Sequence, residues 1–128
     1  MPPITSFRDL LVWQKAIELA VLTYRIAQSL PRSEQDVLGY QLRKSSLSIP
    51  SNIAEGWSRR STPHYINHLW TAHGSGGELE TQVEVGKRLS FIAPDAADVL
   101  IRDTQEIGKM VNGLVRSLER ASGPRPRR

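Results

Sequence analysis

Cysteine is absent from this 128-residue chain, and no long uninterrupted run of apolar residues occurs in it. The absence of cysteine excludes disulfides and thiolate chemistry, and it fits a reducing compartment. A membrane helix needs about 18 consecutive apolar residues, which no segment supplies. Residues 1–9 also lack the charged and then apolar pattern of a secretory signal. We therefore expect a soluble, cytoplasmic protein that does not associate with membranes.

Strand patterns are missing as well. No run alternates apolar and polar residues with period two, whereas apolar residues recur in steps of three and four along most of the chain. This periodicity predicts an all-α protein, an up-down-up-down four-helix bundle over residues 1–122 followed by a basic disordered tail at 123–128. The predicted helices run from Phe7 to about Leu30, from Ser33 to Gly56, from Pro63 to about Phe91 and from Pro94 to about Ala121.

Capping residues support these boundaries. Thr5 or Ser6 is expected to cap the first helix, Ser33 the second, and Ser61 or Thr62 the third, while Gly56 is a stop signal. The first helix has an apolar stripe and further apolar residues outside it, so it is expected to bury a second face, against another subunit. The stripe consists of Leu10, Trp13, Ile17, Ala20, Tyr24 and Ala27, and the residues outside it are Val12, Leu19 and Val21.

The net charge of +4 is unevenly placed. Residues 1–100 hold ten basic and ten acidic residues, whereas residues 101–128 hold seven basic and three acidic ones. The whole excess therefore lies in the last predicted helix and in the arginine-rich tail. Such a distribution attracts phosphate backbones without reading their sequence, and repetition around an oligomer would strengthen the attraction.

A proline interrupts the second predicted helix within the segment Ser48–Gly56. Pro50 removes a backbone donor and crowds the carbonyl of Ser46, which predicts a kinked helix whose freed groups are partnered by nearby hydroxyls. We interpret the segment mainly as a structural polar network, and a recognition surface for RNA or protein is the alternative. The residues assigned to the structural motif are Ser48, Pro50, Ser51, Asn52, Glu55 and Gly56, with Ser75 and Glu78 from the third helix.

Three glycines lie in the middle of the third predicted helix, at positions 74, 76 and 77. On a packing stripe, glycines allow another backbone to approach closely. A phosphate-binding loop is the alternative, but no strand precedes the glycines and the G-x-x-x-x-G-K-[ST] spacing is absent. Glu78 or Glu80 is expected to reach across the bundle to Arg43, Asn52 or a capping hydroxyl, because buried charges need partners.

The three histidines are the first candidates for catalysis or metal binding. His64 and His68 lie four residues apart, but neither an H-E-x-x-H motif nor a Glu-x-x-His pair accompanies them. No pairing of a nucleophile with a base is visible in the sequence. We therefore expect neither an enzyme nor a metal or other cofactor.

Three motifs resemble a known family. They are Val12–Ala16, the segment Gln41–Arg43 followed by Ser48–Gly56, and Gly74-Ser75 with Glu78–Thr81. Their order and spacing over residues 7–118 resemble the 23S ribosomal RNA intervening sequence proteins. The chain departs from the family pattern at Gly76 and Gly77, where a larger or helix-favouring residue is more usual.

The resemblance implies a helical bundle that assembles as a homopentamer and has no known catalytic activity. A similar protein, the accessory variability determinant of diversity-generating retroelements, binds a reverse transcriptase and nucleic acid through a basic surface. The function this suggests is an oligomeric accessory protein that binds RNA or DNA, and the alternative is a structural or protein-interaction bundle with no nucleic-acid role. The candidate nucleic-acid-binding residues are Arg43, Lys44, Arg59, Arg60, Arg116, Arg120, Arg125, Arg127 and Arg128.

Overall fold

The computed structural model describes residues 3–121, which form four α-helices, two 3-10 turns and no strand. Consecutive helices pack against each other, and the first also packs against the fourth. The all-helical fold class is therefore confirmed as a four-helix bundle. No helix within this range is long and apolar enough to cross a membrane. The elements are a 3-10 turn Phe7–Asp9, α1 Leu11–Gln28, a 3-10 turn Arg32–Glu34, α2 Leu38–Ser58, α3 Thr62–Arg88 and α4 Pro94–Ala121.

The first helix is preceded by a capped turn. Ser6 is a cap, as predicted, because its hydroxyl accepts a hydrogen bond from the backbone N–H of Arg8 at 3.1 Å. The Asp9 carboxylate accepts hydrogen bonds from the backbone N–H groups of Thr5 at 3.0 Å and Ser6 at 3.2 Å, which lower the pKa of Asp9. The α-helix itself starts later than predicted, at Leu11.

The second helix also starts later than predicted, and Ser33 does not cap it. Ser33 lies inside the second 3-10 turn, and α2 begins at Leu38. The linker folds back instead, because the side-chain amide of Gln35 donates to the carbonyls of Ala27 and Leu30, both at 2.9 Å. Ala27 lies in the last turn of α1, where helix carbonyls lack intrahelical partners, and Leu30 lies just beyond it. The linker is therefore held by the hydrogen bonds of Gln35 to the end of α1, and not by a cap from Ser33.

Pro50 lies inside α2, which runs through it without interruption and buries it. The serine hydroxyls bond elsewhere than predicted. Ser46 donates to the carbonyl of Arg43 at 3.1 Å, and Ser48 pairs with Ser75 of α3 at 2.7 Å. The hydroxyl of Ser48 thus joins two helices.

Gly56 does not end α2, because the helix continues to Ser58. Gly56 is buried, and a Cβ atom there would lie 2.9 Å from the Cβ of His68 and 2.9 Å from the Cδ1 of Tyr65. Its physical role is therefore to let α2 approach α3. The third helix also ends earlier than predicted, at Arg88, and Ser90 follows with a φ of 62° in the left-handed region. The bounds of α4 are as predicted.

The predicted core face of α1 was only partly right. Tyr24, placed on the stripe, is 37% exposed, whereas Val12 and Leu19, placed outside it, are buried. Apolar residues cover more than one side of this helix, so periodicity alone does not decide which side faces the core. The buried side consists of Val12, Ala16, Leu19, Ala20, Thr23 and Ala27.

The remaining core lies between the other three helices. Its largest fully buried side chains are Leu42, Ile49 and Ile53 of α2, Leu69, Leu79 and Val83 of α3, and Leu100, Val111 and Val115 of α4. This core fixes the faces of α3 and α4 that remain exposed, and the candidate site lies on those faces.

Candidate nucleic-acid interface

The Ser48–Gly56 segment forms polar contacts between α2 and α3. The side-chain amide of Asn52 donates to the carbonyl of Ser48 at 2.8 Å and to its hydroxyl at 3.0 Å. The amide oxygen of Asn52 lies 3.1 Å from Nδ1 of His68, and the Ser48 hydroxyl pairs with Ser75. These groups satisfy one another inside the contact, so the segment presents few free polar groups to a ligand.

Two members of the predicted motif that belong to α2 face solvent. Ser51 and Glu55 are exposed, and Glu55 pairs with Arg59 at 3.1 Å and lies 3.9 Å from Nε2 of His68. This carboxylate therefore bridges the end of α2 to the start of α3 at the protein surface. A pair this exposed contributes little to stability.

The predicted reach of Glu78 or Glu80 to α2 was wrong. Glu78 is exposed, and Glu80 accepts a hydrogen bond from Gln105 of α4 at 3.2 Å. Two of the partners predicted for them, Arg43 and Asn52, bond elsewhere: Arg43 donates to the backbone carbonyl of Gln35 at 2.9 Å, and Asn52 bonds to Ser48 and His68. Glu80 therefore reaches α4 instead of α2, and Glu78 faces solvent.

Four candidate arginines lie at one end of the bundle. Arg59 and Arg60 occupy the loop between α2 and α3, and Arg116 and Arg120 lie in the last two turns of α4. Contacts between α3 and α4 pair later residues of one helix with earlier residues of the other: Lys87 with Asp98, Glu80 with Gln105, and His73 with Gly108. Continued in the same direction, this series brings the start of α3 level with the end of α4. We call these four arginines the basic end.

Most of the basic end carries uncompensated charge. Arg60, Arg116 and Arg120 are exposed, and none of them forms an ion pair with an acidic side chain of residues 3–121. Arg59 differs, because Glu55 neutralises it. Hydrated cations brought together by two segments, the α2–α3 loop and the end of α4, create a positive potential that favours a polyanion.

Arg43 and Lys44 do not belong to the basic end. They lie about 16 residues before Arg59 in the sequence, which is roughly 24 Å along the helix axis. Arg43 is half-buried and bonded to Gln35, whereas Lys44 is exposed with its ammonium 5.9 Å from the centroid of the Tyr40 ring. The remaining candidates, Arg125, Arg127 and Arg128, lie outside the described residues.

Sequence reasoning missed two residues near the basic end, Lys109 and Trp70. Lys109 precedes Arg116 and Arg120 by seven and eleven residues on α4, a spacing that puts all three on one exposed face. Trp70 of α3 is 43% exposed, and its ring lies 5.6 Å from that of His73. The seven-residue spacing was visible in the sequence, but the exposure of Trp70 was not.

A groove of about 320 Å³ separates α3 from α4 next to these residues. Its floor is partly formed by Gly76, Gly77 and Gly108, and Lys109 and His73 line it. The predicted close approach of another backbone at these glycines was wrong. A Cβ at Gly76 would make only an ordinary contact with the Thr104 side chain at 3.5 Å, and one at Gly74 or Gly77 would contact nothing within 4 Å.

The part of the chain that the structure describes contains no cluster of metal-binding side chains. No three histidine, aspartate or glutamate side chains between residues 3 and 121 lie close enough together to hold a metal ion. His64 is exposed, and His68 is held by Asn52.

These features define an all-helical bundle with polar α2–α3 contacts and a basic end. The family model of the 23S rRNA-intervening sequence proteins matches residues 8–113, and the chain belongs to this family. The resemblance noted in the sequence is thus confirmed.

A solved relative agrees with this assignment. It is a protein of unknown function from the S23 ribosomal protein family of Bacteroides thetaiotaomicron VPI-5482, with a TM-score of 0.77 and 28% sequence identity. The alignment covers 83% of this chain and 99% of the relative. No match was found among curated proteins.

Proposed function

We propose that this chain is a non-enzymatic, oligomeric accessory protein that binds RNA or DNA through its basic end. The observation that carries the proposal is the exposed charge of Arg60, Arg116 and Arg120, none of which has an acidic partner among residues 3–121. Neutralised arginines add little to polyanion binding, whereas unpaired ones release counterions from the nucleic acid when they contact phosphates. The family name, which refers to an intervening sequence of 23S rRNA, agrees with a nucleic-acid role.

The proposal includes an up-down-up-down order of the helices and a homopentameric assembly. The order is supported by the contact series between α3 and α4, and by the pairs Trp57–Tyr65 and Ser48–Ser75 between α2 and α3. Assembly is supported by an exposed apolar face of Ile17, Val21 and Tyr24 on α1 with Leu47 on α2. Burying this face between copies would repeat the basic end around a ring, where the potentials add.

The partner and the compartment extend the same proposal. A reverse transcriptase is the proposed protein partner, and the cytoplasm is the proposed location. A reverse-transcriptase gene or an rRNA insertion beside the coding sequence would support the first. Neither partner nor location is needed for the binding experiment.

The test is a salt series of binding measurements on protein whose mass is fixed by light scattering. Electrophoretic mobility with structured RNA and duplex DNA compares the wild type with the triple variant R60Q/R116Q/R120Q. We expect the variant to bind at least about tenfold more weakly and to lower the slope of log affinity against log salt by about 3.

A matched control removes three arginines from other parts of the bundle. The variant R32Q/R88Q/R102Q changes the net charge equally but leaves the basic end intact. Equal losses in the two triple variants would mean that net charge alone drives binding. A wild type that ignores both nucleic acids at low salt would contradict the proposal.

A protein-interaction bundle is the second candidate, and the apolar face of α1 and α2 favours it. Val21 is 46% and Leu47 50% exposed, and the groove they line with Tyr24 is almost wholly apolar. Under this alternative, V21D would abolish binding of a protein partner while the wild type retains no polynucleotide. Under our proposal, V21D breaks the oligomer and weakens nucleic-acid binding together.

A further inference from the structure

Trp70 differs from the other two tryptophans of the chain. Trp13 packs edge-on against Phe7 at 5.2 Å, and Trp57 packs against Tyr65 at 6.4 Å. Both are only partly exposed and lie against the core. Trp70 instead leaves 43% of its surface open and contacts only the His73 ring among the aromatic residues of the described range. A second flat ring therefore has room to stack beside it.

The groove next to Trp70 exists because side chains are missing from it. A Cβ atom at Gly108 would lie 3.8 Å from Nε2 of His73, and one at Gly77 would meet nothing within 4 Å. The resulting space of about 320 Å³ is within the range of sites that hold small flat ligands. His73 connects the exposed Trp70 ring to this groove, because the His73 ring contacts the Trp70 ring and His73 also lines the groove.

Basic side chains follow the same edge of α4. Lys109 lines the groove, and Arg116 and Arg120 extend the positive line about 16 Å along the helix axis. The three have no acidic partner within residues 3–121. The one carboxylate that lines the groove, Glu80, is bonded to Gln105.

We propose that the α3–α4 groove binds single-stranded nucleic acid, with a base stacked on Trp70 and phosphates contacted by Lys109 and Arg116. This rests on the proposed function and names its substrate class. A duplex hides the faces of its bases inside the stack, so an exposed aromatic side chain can stack only on unpaired bases. A cationic groove beside an aromatic platform is the combination that single strands require.

The test compares unstructured single-stranded RNA and DNA with duplexes of the same length. Binding is measured by fluorescence anisotropy for the wild type, W70A, W70F and the control Y40A. Tyr40 is a matched control because it is an exposed aromatic residue beside a lysine on a different face. Circular dichroism confirms that each variant remains helical.

We expect W70A to lower single-strand affinity by about 5- to 100-fold, and W70F to retain most of it. Duplex affinity should be nearly unchanged in both, and Y40A should bind as the wild type does. Equal binding of single strands by W70A and the wild type would overturn the inference while leaving the proposed function standing. A larger loss in Y40A than in W70A would also overturn it and would move the site to the Lys44 face. Absence of any nucleic-acid binding by the wild type would instead defeat the proposed function itself.

Discussion

The two faces of α3 use glycine in opposite ways. Toward α2, a Cβ at Gly56 would come within 2.9 Å of His68 and Tyr65, so the glycine brings two helices into direct contact. Toward α4, Gly77 and Gly108 have nothing so close, and a groove of about 320 Å³ remains. The first face is closed by a hydroxyl pair of 2.7 Å between Ser48 and Ser75, whereas surface contacts such as that of Lys87 bridge the second.

This difference separates stability from binding. The α2–α3 contact satisfies its own polar groups and leaves little for a ligand, while the α3–α4 face offers space, charge and an exposed Trp70. We infer that the Ser48–Gly56 motif stabilises the fold, and we propose that the α3–α4 face binds the nucleic acid. Each prediction below tests one side of this contrast.

The largest effect on stability is expected at the α2–α3 contact. A methyl group in Gly56→Ala meets the Tyr65 carbonyl at 3.2 Å as well as two side-chain atoms, and backbone cannot move aside cheaply. We expect unfolding free energy to fall by about 1–3 kcal/mol, since overpacking outweighs the gain in helix propensity. Urea denaturation measures it. Unchanged or increased stability would show that α2 and α3 are less tightly joined than the geometry indicates.

A smaller loss is expected at the hydroxyl pair. Ser75→Ala removes the 2.7 Å bond to Ser48 inside the helix contact and should cost about 1 kcal/mol. Ser48 keeps its bond from Asn52, which limits the penalty. A double-mutant cycle with Ser48→Ala isolates the pair, and a coupling energy near zero would argue against a bond between the two hydroxyls in solution.

The side of α3 that faces α4 should tolerate an added methyl group, whereas the contact with α2 should not. Gly77→Ala adds a methyl group in free space and raises helix propensity, so we expect a gain of about 0.5–1 kcal/mol. The same urea experiment measures it beside Gly56→Ala. A loss of stability at Gly77 would mean that another chain or helix occupies this face.

The smallest effect concerns a surface contact between α3 and α4. The hydrogen bond from Lys87 to Asp98 at 2.7 Å and the charge of that carboxylate raise the pKa of Lys87 above its ordinary value of 10.5. The folded form therefore holds its proton more tightly than the unfolded chain. The resulting stabilisation is complete below pH 10.5 and is lost as pH rises through the higher folded pKa.

Asp98→Asn should remove this contribution and flatten the pH dependence of stability above pH 10.5 relative to the wild type. Thermal unfolding across that range measures it. Parallel pH profiles for the two proteins would show that the contact does not persist in solution.

Much of the fold was predictable because it depends on neighbouring residues in the chain. Helical periodicity placed all four helices, Ser6 was recognised as a cap, and α4 was bounded correctly from its apolar spacing and from Pro94. Pro50 was also placed correctly inside a helix. Local patterns of this kind need no knowledge of which surfaces meet.

The errors arose where contacts between residues distant in the sequence decide a helix boundary or the buried side of a helix. Ser33 is a good cap in isolation, but the bond from Gln35 to the end of α1 sets where α2 begins. Gly56 is a good stop signal, yet contact with Tyr65 gives it another role. The choice of core side on α1 depended in the same way on packing partners.

The candidate site was predicted only in its charge. Composition pointed to the end of the chain and therefore to Arg116 and Arg120, and the structure adds that Arg60 lies at the same end of the bundle. Lys109 and Trp70 were not selected, because only the arrangement of α3 and α4 shows that Lys109 lines a groove whose lining residue His73 contacts Trp70.

The most direct test uses the three tryptophans as separate reporters. Each lies in different surroundings: Trp13 is 5.3 Å from Arg8, Trp57 precedes Arg59 in the chain, and Trp70 contacts His73, which lines the α3–α4 groove. Protein labelled with 5-fluorotryptophan is titrated with a single-stranded oligonucleotide, and the three fluorine resonances are assigned by single Trp→Phe variants. Our account predicts that the Trp70 resonance shifts most on saturation. An unchanged Trp70 resonance in a fully bound sample, with the shift confined to Trp13 or Trp57, would contradict it.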